Sequence, residues 1–159
     1  MSNSAEPLKV LVDTTFLLPT LGIDVGKQTT RVLRKLAEVE AEIYYSPFSL
    51  LESLWVMSRN VKNSTFDIEQ FSQGLRSIMD SGRYLRLNES AEVYREAMRL
   101  YTLGHADLID NILYSSSVHF GIRFLTLDRM LTDFITEKGL ENTFLPIDHF
   151  NKETQPDRA

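Results

Sequence analysis

Short apolar runs alternate with amphipathic segments along most of the chain, and this alternation is the strongest constraint on its fold. Strands are predicted at 8–12, 42–45, 83–87, 122–125 and 143–145, the last an edge strand ended by Pro146. Helices are predicted at 25–40, 47–60, 66–79, 88–103, 105–120 and 128–138. Because strands joined by crossover helices form parallel sheets covered on both faces, we predict a three-layer α/β/α sandwich with a central parallel sheet of about four or five strands.

The length and composition indicate a single domain. The chain has 159 residues, enough for one sizeable core, and we predict a disordered lead-in at 1–7, one domain at 8–147 and a polar C-terminal tail at 148–159. It has no cysteine, which excludes disulfides and thiolate sites and suits a reducing cytoplasm. No uncharged apolar run approaches the roughly 20 residues of a membrane span, so we expect a cytoplasmic protein without a membrane partner.

The charge of the chain limits how it could bind a nucleic acid. The formal net charge is -5, so the overall basic character of many nucleic-acid binders is absent. Binding would need a local basic patch, or a metal ion that reverses the sign of an acidic site. The predicted helix at 25–40 has a basic stripe, which is either a solvated face or a phosphate-contacting surface; it comprises Lys27, Arg31, Arg34 and Lys35.

Four carboxylates stand at unusual positions. Asp13 directly follows the first strand and Asp128 follows the fourth, at the sheet edge where open α/β folds bind ligands. Glu52 is the only charge between Glu42 and Arg59, in the most apolar helix. Asp110 lies on one helical stripe with Asp107.

Each carboxylate also has a purely structural interpretation. Asp13 and Asp128 could be helix N-caps, Glu52 could point outward towards a cation, and Asp110 could belong to a solvated face. Asp107 could complement a helix dipole.

The four acids together favour a metal site over other chemistries. Clustered carboxylates repel one another, and a hard divalent ion such as Mg²⁺ or Mn²⁺ relieves that repulsion. Such a site can activate water for attack on a phosphodiester. The histidines lack zinc-ligand spacing, there is no G-x-S-x-G motif, and the segment 22–26 lacks the lysine and serine of a phosphate-binding loop.

These residues resemble a known family. Asp13-Thr14-Thr15 after the first strand, Glu52 after Ser46-Pro47, and Asp110 followed by Leu125-Thr126-Leu127-Asp128 resemble the PIN domain over about residues 8–147. The resemblance implies a metal-dependent ribonuclease with one or two Mg²⁺ or Mn²⁺ ions. It also implies an acidic cluster that comprises Asp13, Glu52, Asp110 and Asp128.

The resemblance carries further expectations. Thr15 matches the small polar residue that supports the first aspartate, Thr126 matches the hydroxyl residue before the last, and Asp107 becomes a neighbour that tunes the site through water. Many members are toxins of bacterial and archaeal toxin–antitoxin pairs, so an RNA substrate, a small antitoxin and a homodimer are expected. The alternative from another class is a non-catalytic PIN-like scaffold that binds RNA or protein.

Overall fold

The computed structural model describes residues 5–151, apart from the side chains of His149 and Asn151. Residues 1–4 of the predicted lead-in and 152–159 of the predicted tail lie outside the described residues. The strands are β1 (Lys9–Val12), β2 (Glu42–Tyr45), β3 (Tyr84–Arg86) and β4 (Arg123–Leu125). The helices are α1 (Lys27–Glu38), α2 (Pro47–Lys62), α3 (Ile68–Met79), α4 (Ala91–Thr102), α5 (Leu108–Phe120), α6 (Arg129–Glu137) and the short α7 (Asp148–Asn151), and a 3-10 turn spans Thr14–Phe16.

The strands form one parallel four-stranded sheet in the order β3-β2-β1-β4. This confirms the predicted sandwich, with β1 in the interior of the sheet between β2 and β4. The predicted strand at 143–145 is wrong, because only Phe144 forms a bridge, with Phe124. The segment is held beside β4 by two hydrogen bonds, from the N–H of Phe124 to the carbonyl oxygen of Thr143 and from the N–H of Leu145 to the carbonyl oxygen of Phe124, both at 2.9 Å.

The two faces of the sheet bury separate cores. Side chains alternate along a strand, so Val10 and Val12 of β1 lie on one face and Leu11 lies on the other. The first core includes α1, the 3-10 turn and part of α3, through Val32, Leu36, Phe16 and Ile78. The second includes α4, α5 and α6, through Leu100, Leu113 and Leu131. The sheet therefore has helices on both sides, and its strand ends remain available at the edges.

Helix α2 packs differently from the other helices. Its buried side chains are Ser49, Ser53 and Met57, which recur every fourth residue. The larger apolar side chains of Leu51, Leu54 and Trp55 are exposed by 42%, 42% and 55%. Helix α2 thus buries two serines and a methionine and leaves an apolar surface outside. No helix among residues 5–151 is long and apolar enough to cross a membrane.

One glycine fixes the approach of α3 to the segment after the 3-10 turn. A Cβ atom at Gly74 would lie 2.2 Å from the carbonyl oxygen of Thr20 and 2.8 Å from the Cα atom of Leu21. A side chain at this position would push α3 away from the core. Gly74 therefore allows α3 to pack directly against the backbone of Thr20 and Leu21.

Candidate functional site at the carboxyl edge of the sheet

Neighbouring parallel strands bring Asp13 and Asp128 to the same edge of the sheet. Asp13 follows β1 directly, and Asp128 lies three residues after the end of β4. The backbone N–H of Asp13 donates to the carbonyl oxygen of Leu125 at 3.0 Å, so the ends of the two strands stay paired up to the first aspartate. Both aspartates therefore lie at the carboxyl edge of the sheet, as predicted.

A threonine hydroxyl joins the two aspartates. Thr126 Oγ1 donates to Asp13 Oδ2 at 2.8 Å, and the backbone N–H of Asp128 donates to the same hydroxyl at 3.0 Å. The other Asp13 oxygen, Oδ1, accepts from the N–H of Thr14 at 2.6 Å. Asp13 is 8% exposed, so these bonds hold its carboxylate in one orientation.

The Thr126 hydroxyl gives a testable prediction. Thr126→Val keeps the shape of the side chain but removes both of its hydrogen bonds at the site, so we expect any metal-dependent activity to fall by about 10- to 100-fold. Thr136→Val is the matched variant, because Thr136 is exposed on α6 and its hydroxyl donates, among the described residues, only to the carbonyl oxygen of Thr132, so its activity should stay near that of the wild type. Equal losses in the two variants would contradict the role of Thr126.

Asp110 reaches the site from the first turn of α5. Asp107 is the N-cap of this helix, and its Oδ1 accepts the backbone N–H of Asp110 at 3.1 Å. Asp107 is exposed, whereas Asp110 is 8% exposed. Asp107 therefore fixes the start of α5, and Asp110 carries the buried carboxyl group.

Burial and mutual repulsion raise the pKa values of the two buried acids. The pKa of Asp110 rises to about 9, first because of burial and then because of the charges of Asp13 and Asp107. A hydrogen bond to the Asp128 carboxylate also favours the protonated form of Asp110. The pKa of Asp13 rises to about 6, mainly through burial and in smaller part through Glu52 and Asp128, against the lowering effect of its two hydrogen bonds. Electrostatic coupling thus includes all four predicted acids.

Asp128 and Glu52 are the half-buried members of this group. Asp128 is also the N-cap of α6, because its Oδ1 accepts the N–H groups of Met130 at 2.8 Å and Leu131 at 3.2 Å. The capping interpretation and the site interpretation of Asp128 are therefore compatible. Glu52 lies half-buried on α2, and no ion pair joins it to a cation within residues 5–151.

The donor set suits a hard divalent cation. Four carboxylates offer only oxygen ligands, which Mg²⁺ and Mn²⁺ prefer, and a cation would remove the repulsion that raises the pKa of Asp110. Within residues 5–151, however, no three acid or imidazole side chains are already gathered tightly enough to hold an ion. The residue types and their coupling fit such a metal, and binding it would require the side chains to draw together.

Two polar contacts beside the site were not predicted from the sequence. Asn111 is fully buried, and its amide binds both the ring Nδ1 of His105, at 2.7 Å, and the His105 carbonyl oxygen, at 2.8 Å. This clamp holds the turn that leads into α5. Ser46, the N-cap of α2, donates to Glu89, which follows β3. His105 and Asn111 are only six residues apart, and a histidine that far before an asparagine at a helix start was the available signal. Ser46 and Glu89 are 43 residues apart, so no local pattern indicates their contact.

Comparisons with solved structures find the same fold in other proteins. A toxin–antitoxin complex from Klebsiella pneumoniae aligns at a TM-score of 0.54 and 17% identity, with 86% of this chain and 99% of that chain covered. The sarcin–ricin loop cleaving toxin VapC20 of Mycobacterium tuberculosis aligns at 0.58 and 14%, over 86% and 99%. PAE2754 from Pyrobaculum aerophilum aligns at 0.59 and 14%, over 94% and 100%.

The family model of the PIN domain matches residues 10–134, which include all four acids. None of the curated proteins matches the chain. The family match covers well over half of the sequence and agrees with the parallel sheet order and with the fold of the solved neighbours. This chain belongs to the PIN domain family.

Proposed function

We propose that this protein is a Mg²⁺- or Mn²⁺-dependent endoribonuclease whose acidic site comprises Asp13, Glu52, Asp110 and Asp128. The observation that carries the proposal is the burial of Asp13 and Asp110 at the carboxyl edge of the sheet, where Asp128 repels both of them and Glu52 repels Asp13. Such a cluster of carboxylates does not stabilise the fold. Acidic residues with raised pKa values at the ends of strands are typical of functional sites. Membership of the PIN domain family supports the same conclusion.

The side chains have distinct proposed roles. Asp13, Asp110, Asp128 and Glu52 would hold the ion, and Thr126 would keep the Asp13 carboxylate oriented. Asp110 would release its proton when the ion binds, so binding would tighten as the pH rises. Thr15 and Asp107 would act as supporting residues, Asp107 through its cap on α5. A bound ion would supply Lewis acidity, which lowers the pKa of water and offsets charge on the phosphate.

A metal titration tests the proposal. We expect Mn²⁺ at millimolar concentration to raise the melting temperature of the wild-type protein by several degrees, because an ion that binds only the folded state stabilises it by mass action. We expect the same ion to start cleavage of a mixed-sequence RNA, and Asp13→Asn to lose both effects. An unchanged melting temperature together with no cleavage would favour the non-catalytic scaffold.

The partners are also proposals. We propose that the protein is the toxin of a toxin–antitoxin pair, is held by a small antitoxin and forms a homodimer. The neighbour from Klebsiella pneumoniae is a toxin–antitoxin complex, which supports the first two. The exposed Leu51, Leu54 and Trp55 on the helix that carries Glu52 are suited to cover by a protein partner. A small reading frame beside the gene, and light scattering of the purified protein, test the antitoxin and the dimer separately.

A further inference from the structure

The outer surface of α1 carries three cations that have no acidic partner. We call Lys27, Arg31 and Arg34 the basic face; all three side chains are exposed, and no ion pair involves them within residues 5–151. The neighbouring Lys35 differs, because its Nζ lies 3.0 Å from Glu38 Oε2. No acidic residue occurs between Asp24 and Glu38. The basic face is therefore a local excess of positive charge on a protein whose net charge is -5.

Two adjoining clefts run along the basic face. The first has a volume of about 300 Å³ and is lined by all three cations together with Asp24, Gly26 and Thr30. Asp24 Oδ1 already accepts the N–H of Gly26 at 2.8 Å. The second cleft, of about 600 Å³, lies between α1 and α3 and shares Thr30 and Arg34 with the first. The two clefts thus form one path along the helix.

The second cleft offers neutral hydrogen-bonding groups and further positive charge. Its lining includes Arg83 and the polar side chains of Thr20, Gln70, Gln73 and Ser77, and no carboxylate among the described residues. Hydroxyl and amide groups beside arginines are typical of surfaces that contact phosphate and sugar. Gly74 also lines this cleft, at the point where α3 lies closest to the backbone of Thr20 and Leu21.

The first turn of α1 approaches the acidic site. A third cleft, of about 500 Å³, is lined by Gln28 together with Thr126, Asp128 and Asp148. Gln28 follows Lys27 directly in the first turn of α1. Asp128 therefore lines the same cleft as the residue that follows Lys27, the first cation of the basic face.

This arrangement suits a polyanion better than a protein partner. A strand whose scissile phosphate lies at the acidic site has further phosphates on either side, and the unpaired cations lie where one flank would run. An acidic peptide would also be attracted to the arginines, but it has no phosphate to place at the acidic site. We propose that the basic face and its two clefts bind the sugar–phosphate backbone of RNA on one side of the cleavage position. This inference rests on the proposed function and adds the path of the substrate to it.

A binding assay without cleavage tests the path. A short fluorescent single-stranded RNA of mixed sequence is titrated with the protein in EDTA, at several salt concentrations. We expect Arg31→Gln/Arg34→Gln to weaken binding by about tenfold or more, and the slope of log Kd against log salt to fall by roughly 1.4, because each phosphate contact contributes about 0.7 for a single strand. Arg31→Lys/Arg34→Lys keeps the charge and should retain most of the affinity and the slope.

The matched control removes the same charge elsewhere. Lys9 and Lys138 are exposed at the start of β1 and just after the end of α6, away from the edge that carries Asp13 and Asp128. Lys9→Gln/Lys138→Gln should bind RNA as the wild type does. In Mn²⁺, the variant of the basic face should cleave with a raised KM and an unchanged kcat, since these cations do not touch the reacting atoms.

Each outcome separates the substrate path from the proposed function. Unchanged affinity in Arg31→Gln/Arg34→Gln, or an equal loss in the control, would overturn the path and leave the basic face a solvated surface. Loss of binding to an acidic antitoxin with RNA binding intact would overturn it in favour of a protein partner. If the wild-type protein binds RNA through these arginines but never cleaves it in Mn²⁺, the path stands and the nuclease activity fails.

Discussion

Asp13→Asn is expected to abolish metal-dependent RNA cleavage, with a loss of at least about 100-fold, while the protein stays folded. Asparagine has nearly the shape of aspartate, can cap the 3-10 turn and can accept one of the two hydrogen bonds that Asp13 receives. It also removes a buried charge whose pKa burial has raised to about 6, which offsets the lost bond. Activity should therefore fall far more than stability.

The same reasoning extends to Asp128→Asn, and a neighbouring acid supplies the control. Asp133 is exposed on α6, the helix that Asp128 caps, so Asp133→Asn changes the charge by the same amount close to the site. It should cleave RNA at nearly the wild-type rate. The comparison is made by circular dichroism and by cleavage of a labelled RNA in Mn²⁺. Wild-type cleavage by the double variant Asp13→Asn/Asp128→Asn would show that the acidic site does not carry the reaction.

The sequence was sufficient for the sheet and for the positions of the strand-end acids. A continuous apolar run such as 8–12 has few alternatives to a buried strand, and an aspartate directly after it must lie at the carboxyl edge. Parallel strands joined by crossover helices place Asp13 and Asp128 at the same edge, whereas the neighbouring positions of β1 and β4 in the sheet are known only from the structure. These inferences depend only on local patterns and on the handedness of crossovers.

Other features depend on contacts that no local pattern encodes. The composition of α2 predicts an apolar helix, but it does not indicate that the face with Ser49, Ser53 and Met57 is the buried one, because burial depends on which elements the helix packs against, such as the 3-10 turn. The bond from Thr126 to Asp13 joins residues 113 positions apart. Thr15, which the family resemblance marks as the support of Asp13, lies half-buried in the 3-10 turn without a hydrogen bond from its side chain to a described residue.

The stability of the metal-free protein should fall as the pH rises, because of Asp110. Its pKa is about 9 in the folded protein, against a reference value of 3.8. Between these values the folded state holds a proton that the unfolded state has released, so the free energy of unfolding decreases by up to about 1.4 kcal/mol per pH unit. The contribution is fully present below about pH 4 and is lost as the pH approaches about 9. Asp13 acts in the same direction, but only up to about pH 6.

Asp110→Asn should remove this dependence and stabilise the metal-free protein at high pH. In EDTA, we expect the wild-type melting temperature to fall by about 5 °C or more between about pH 6.5 and pH 8.5, above the range of Asp13, while the variant stays nearly flat. Asp133→Asn should follow the wild type. Mn²⁺ should reverse the trend in the wild-type protein alone, because the ion binds the deprotonated carboxylate that the metal-free fold disfavours. A wild-type melting temperature that stays constant in EDTA would contradict this prediction, because it would mean that Asp110 is already ionised across this pH range without a metal.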